Sequence, residues 1–149
     1  MKILLADDDG DDRFLFENAM KEVDDSCALQ TAQDGEEFIT MIQKGTARPD
    51  IILLDMNMPK KNGLACLADV RARPEFDDTP VIILSTGTND HEVMLAYNNR
   101  ANLFIRKPNS YTALKEIVKH CIVADFRYPP DISKKDFLIL DSKQLLSIS

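Results

Sequence analysis

The 149-residue chain is short of positive charge, short of cysteine and without any long apolar run, and each shortage removes a class of function. Eighteen Lys and Arg stand against 25 Asp and Glu, a formal net charge of -7. That sign argues against a nucleic-acid partner, because affinity for a polyanion comes largely from Lys and Arg displacing condensed counterions. The three cysteines, Cys27, Cys66 and Cys121, are odd in number, lack metal-ligand spacing and each sit in an apolar segment. They read as reduced, buried thiols. The N-terminus is apolar only over Ile3-Leu4-Leu5-Ala6 before Asp7 intervenes, too short for a signal-peptide core or a membrane span. A cytoplasmic location and no membrane partner are therefore expected. Neither His91 nor His120 ends an apolar run, so both read as helix-surface residues. No internal repeat or low-complexity segment is visible.

What the chain does have is a series of short, continuous apolar runs at 3–6, 51–54, 81–84 and 103–105, with a weaker one from Ala28 to Ala32. Unbroken runs of this length mark strands buried on both faces. Between them the spacing turns helical. Phe16, Ala19, Met20 and Val23 repeat at i, i+3, i+4, i+7, and Leu114, Ile117, Val118, Cys121 and Ile122 do the same. Asp11 or Asp12 is placed to cap the first helix and Ser110 the last, while Gly63 and Asp90 open the third and fourth. Five strand-helix units in alternation predict an α/β domain with a parallel sheet, right-handed crossovers and helices on both faces.

Three of the runs end in charge. Ile3 to Ala6 is followed by Asp7-Asp8-Asp9, Ile51 to Leu54 by Asp55, and Leu103 to Ile105 by Arg106-Lys107-Pro108. Parallel strands deliver their carboxyl ends to one rim, where open α/β sheets place their sites. At about 4 Å and an effective dielectric near 20, a pair of carboxylates repels by roughly 4 kcal/mol, so a proton or a hard divalent ion such as Mg2+ is required among them. Asp9, Asp11 and Asp12 read differently, as the solvated, acidic first turn of a helix.

Asp7-Asp8, Asp55, Ser85-Thr86 and Lys107-Pro108, together with Asp55-Met56-Asn57-Met58-Pro59-Lys60-Lys61-Asn62-Gly63 as a D-x-x-M-P-x-x-x-G loop, resemble the receiver domain of two-component response regulators over residues 2 to about 124. The resemblance implies a flavodoxin-like, doubly wound (βα)5 fold with five parallel strands in the order 2-1-3-4-5. It implies that Asp55 is the phosphoacceptor and that Mg2+ is held by Asp8 directly, by Asp7 directly or through water, by Asp55, and by the backbone carbonyl of Asn57. Lys107 would pair with Asp55 and then with a phosphoryl oxygen, across a Lys107-Pro108 bond expected to be cis. Ser85 would donate its hydroxyl to the phosphoryl group and move with it, with Phe104 in the place of the family's aromatic switch. Arg100 departs from the pattern, standing where many members carry glycine.

The expected function is a phosphoacceptor switch: a histidine kinase or phosphotransfer protein donates, and a downstream protein target reads the face around the fourth helix, fifth strand and fifth helix. It would catalyse only its own phosphorylation and dephosphorylation. The rival is a Mg2+-dependent phosphohydrolase with an aspartyl-phosphate intermediate, but enzymes of that type carry a second aspartate two residues after the nucleophile, where this chain has Asn57. Residues 1–124 would form the receiver and 125–149 an extension too short for an effector domain. Within that extension Pro129-Pro130 enforces extended backbone, and the apolar Phe137-Leu138-Ile139-Leu140 needs cover. Either it packs back on its own domain, or it makes a homodimer or partner contact.

Overall fold

Every apolar run becomes a strand. In the computed structural model, which describes residues 1–45, 48–123 and 137–147, β1 (Lys2–Ala6), β2 (Ala28–Ala32), β3 (Ile51–Asp55), β4 (Val81–Ser85) and β5 (Leu103–Arg106) pair in parallel in the order 2-1-3-4-5. The order follows from burial. β3 and β4 are buried at all five positions, which only central strands covered by helices on both faces tolerate.

Alternate residues of each strand feed two apolar layers. Leu4, Ile52, Leu54, Ile83 and Phe104 pack with Phe38, Leu67, Val70 and Ala96 on the face covered by α2 (Gly35–Gln43), α3 (Gly63–Arg71) and α4 (Asp90–Asn98). Ile3, Leu5, Leu53, Ile82 and Ile105 pack with Phe16, Met20, Ile117 and Val118 on the face covered by α1 (Gly10–Val23) and α5 (Tyr111–Val123). The period-2 alternation of strand side chains is what splits one sheet into two cores.

The helix starts follow capping chemistry, with one correction. α1 is capped by Asp9, whose carboxylate accepts from the backbone N–H groups of Asp11 and Asp12 at 2.8 and 3.3 Å, not by Asp11 or Asp12 themselves. Those two lie inside the first turn, where their N–H groups are the orphans a cap must satisfy. The Ser110 hydroxyl accepts from Ala113 N–H at 3.1 Å, and Asn62 and Asn89 cap α3 and α4.

The five-stranded sheet acquires a sixth member. β6 (Leu138–Ile139) adds in parallel to the free edge of β5, with Leu138 opposite Phe104 and Ile139 opposite Ile105. Phe137 is buried and meets Tyr97 of α4 edge-to-face at 5.2 Å; Ile139 and Leu145 join the opposite layer. The apolar run thus packs back on its own domain, because an uncovered β5 edge and an uncovered Phe137 would both be costly. Pro129-Pro130 lies outside the described residues. Cys66 and Cys121 are buried free thiols, whereas Cys27 is only half-buried, since β2 is an edge strand.

Candidate functional site

The rim at the carboxyl ends of β1, β3 and β5 gathers four of the expected residues. One carboxylate oxygen from each of Asp7, Asp8 and Asp55 lies within 4.8 Å of the others, and Lys107 Nζ stands 3.4 Å from Asp55 Oδ2 and 3.2 Å from Asp7 Oδ2. Backbone pairing fixes each one. Asp7 N–H donates to Ala32 O at 3.0 Å and Lys107 N–H to Ser85 O at 2.8 Å, so both side chains extend from the last ladder bond of a strand. Asp7 and Asp55 are buried while Asp8 faces solvent, which leaves the cluster one open side.

The loop after β3 is shaped by a close approach. A Cβ on Gly63 would stand 2.6 Å from the Asp55 carbonyl oxygen, and Gly63 N–H donates to Met56 O at 3.0 Å. Only glycine lets the start of α3 press against the backbone that carries Asp55. Asn57 N–H donates to Asp55 Oδ1 at 3.3 Å, and its side chain is exposed.

The electrostatics follow from burial. Asp55 is pushed up to about 7 by loss of water, with the charge of Asp7 and the neighbouring Asp8 carboxyl acting the same way against Lys107. Burial also raises Asp7, partly offset by the N–H that Asp9 donates to it. For Lys107 burial works against the charge, but the bond to Asp12 and the charges of Asp7 and Asp55 outweigh it, so the ammonium is held above the usual lysine range. A buried carboxyl that strains to keep its proton beside two more oxygens is the donor set a hard divalent cation takes up.

Asp12 was expected as a solvated first-turn acid or a cap of the first helix, not as part of the rim. Its Oδ2 stands 3.0 Å from Lys107 Nζ, and the next residue, Arg13, donates from Nη1 to the Asp7 carbonyl at 2.7 Å. The first turn of α1 therefore holds the rim from outside. The sequence carries a signal for this only in hindsight: positions four and five after Asp8 lie one helical turn from the rim.

Ser85 sits buried at the end of β4, its hydroxyl accepting from Gly87 N–H at 3.2 Å, whereas Thr86 is exposed. Phe104 is fully buried in β5 in the layer of Ala96 and Phe137. The Lys107-Pro108 bond is trans, as no cis peptide occurs among the described residues; for an X-Pro bond the two forms differ by only about 0.5–1 kcal/mol, so the sequence alone does not select one. Arg100 resolves its own anomaly. It takes the left-handed φ of 67° that glycine would adopt freely, and is held there by Arg100 Nη2 to Arg71 O and Arg71 Nε to Arg100 O, both 3.1 Å.

The comparison with known proteins decides the family. Residues 3–119 match the model of the response regulator receiver domain. This chain is a response-regulator receiver. It is 30% identical over 122 residues to the response regulator Rcp1 of Synechocystis, covering 78% of this chain and 83% of that protein, and 31% identical to a chemotaxis protein CheY homolog of Campylobacter jejuni, covering 78% and 88%. Among solved structures it resembles the phosphorylated cyanobacterial phytochrome response regulator RcpA, with a TM-score of 0.75 and 32% identity over 80% of this chain and 89% of that one. It also resembles the Mn(2+)-bound form of Rcp1, with a TM-score of 0.74 and 27% identity over 89% and 98%. The receiver is a phosphoacceptor signalling switch of a two-component system, and receivers bind a divalent metal and work with histidine kinases and downstream targets. Among its described residues no helix is long and apolar enough to cross a membrane.

Proposed function

We propose that Asp55 is the phosphoacceptor of this receiver and that Mg2+ is its metal. The observation that carries the reading is Asp55 itself, buried, raised towards neutrality, and set within reach of Asp7, Asp8 and Lys107 at once. Asp8, Asp7 and Asp55 would hold Mg2+, with the Asn57 carbonyl as the further protein oxygen. Mg2+ bound there would neutralise the charge that carboxylate and phosphoryl oxygens bring together.

The chain's own residues do the rest. An Asp55 oxygen attacks phosphorus in line; the new oxygen–phosphorus bond forms as the phosphorus bond to the donor's histidine nitrogen, or to the acyl oxygen of acetyl phosphate, breaks. Lys107 holds a phosphoryl oxygen as a compact cation, and the Ser85 hydroxyl donates to another. Phe104 on the adjoining strand is the register partner of Ile83, two residue pairs before Ser85 opposite Arg106, and so lies on the same face of the sheet as Ser85; a shift of Ser85 towards the phosphoryl group would open space on that face for the ring.

The protein acts on no external metabolic substrate: it catalyses its own phosphorylation and dephosphorylation. Its donor is a histidine kinase or phosphotransfer protein, its output is contact with a protein target, and it works in the cytoplasm. Residues 1–124 form the receiver and 125–149 its extension. Phe137, Ile139 and Leu145 are buried within the chain, which withdraws those three side chains from any homodimer contact.

The test is intact-mass measurement after exposure to acetyl phosphate. Wild type should gain one phosphoryl group only with Mg2+ present, and Asp55→Asn should gain none; an equal phosphorylated fraction in the variant would overturn the assignment.

A further inference from the structure

Lys107 has three N–H bonds and three carboxylates around it. Asp12 is the nearest at 3.0 Å, then Asp7 at 3.2 Å and Asp55 at 3.4 Å. Two of these change character if Asp55 accepts a phosphoryl group beside a divalent cation. Asp55 becomes an acyl phosphate, a mixed anhydride whose former carboxylate no longer carries its own charge; Asp7 turns its charge to the cation, which also repels the ammonium. Asp12 does neither, because it lies outside the Asp7-Asp8-Asp55 group. Its place is fixed from two sides: Asp9 caps the turn that carries it, and the adjacent Arg13 is tied to the Asp7 carbonyl.

We infer that Asp12 is a positioning residue: it keeps the Lys107 ammonium at the mouth of the pocket once Asp7 and Asp55 are engaged, so that the cation meets the incoming phosphoryl oxygen and does not swing out to solvent. Without that tether a lysine on a four-carbon stem regains its rotamer freedom as soon as its two buried partners are occupied. The inference rests on Asp55 as phosphoacceptor. It differs from the general helix effect of an acidic first turn, which Asp11 supplies equally from the neighbouring position.

That difference provides the experiment. Acetyl phosphate labelling rates at saturating Mg2+ are compared for full-length wild type, Asp12→Asn, Asp12→Glu and Asp11→Asn. The Lys107 ammonium is then followed by 1H–15N correlation spectroscopy in the beryllofluoride–Mg2+ complex. Asp12 is partly exposed, its side chain 41% accessible, so the expected loss for Asp12→Asn is modest, roughly threefold in rate. The Lys107 ammonium signal should broaden through faster solvent exchange; Asp12→Glu should restore both, and Asp11→Asn should change neither. An unchanged rate in Asp12→Asn, an equal loss in Asp11→Asn, or failure of Asp12→Glu to restore would overturn the inference. Wild type that is not labelled at all would instead remove the phosphoacceptor reading, and the inference with it.

Discussion

At the residue scale, the site is governed by what burial does to Asp55. A carboxyl with a folded pKa of about 7 holds its proton more tightly folded than unfolded. The stability it contributes is therefore complete below the ordinary carboxylate range and is lost as pH rises through about 7. In metal-free buffer Asp55→Asn should gain melting temperature over wild type progressively between about pH 5 and about pH 8, measured by thermal melts at each pH; parallel curves would contradict it. Mg2+ competes with the same proton, so its affinity should fall as pH drops below about 7. Asp8 shows the same physics from the open side. Asp8→Asn should lose most Mg2+ affinity yet not melt earlier without metal, because the substitution relieves like-charge repulsion; paired Mg2+ titration and metal-free melts decide both halves.

At the scale of elements, β6 stands apart. Two residues of parallel pairing are too short to hold by backbone bonds alone, so side chains secure it: Phe137 in one apolar layer, Ile139 and Leu145 in the other. The turn that follows is closed by Gln144, whose Oε1 accepts from Leu140 N–H at 2.7 Å and Asp141 N–H at 3.0 Å. Ser142 also hydrogen-bonds Glu116 of α5. The segment thus straps α4, β5 and α5, and it sits directly beside Phe104. Phe137→Ala should lower stability by about 3 kcal/mol, the usual cost of emptying an aromatic site in a core. Urea unfolding measures it, and a change under about 1 kcal/mol would show that the site collapses around the cavity.

For the whole molecule, the five-unit receiver and its extension share one pair of apolar layers. Deleting residues 137–149 should uncover Phe104's edge of the sheet along with Tyr97 and the α5 flank. A lower melting temperature and new binding of an apolar dye are expected, where an independent appendage would leave both unchanged.

Most of the architecture was legible in the sequence because its signals are local. Continuous apolar runs such as Ile51 to Leu54 suit the middle of a parallel sheet, and charges that fall where such strands end put Asp7, Asp8, Asp55 and Lys107 on one rim. The D-x-x-M-P-x-x-x-G loop carried the family resemblance, while the close approach of Gly63 to the Asp55 backbone came only with the fold. What the sequence could not decide were contacts between residues far apart along the chain and without a periodic signature. A two-residue strand has no alternation to read, so the place of Leu138–Ile139 on β5 depended on an open sheet edge. Asp9 rather than Asp11 or Asp12 became the cap because of where α1 begins, and Arg100 could hold a left-handed turn only once Arg71 stood against it. Asp12 looked like any solvated acid until the packing of α1 against α5 brought it to Lys107, 95 residues away. Periodicity and chain chemistry are written residue by residue; proximity across the rim is made only when the sheet and its helices close.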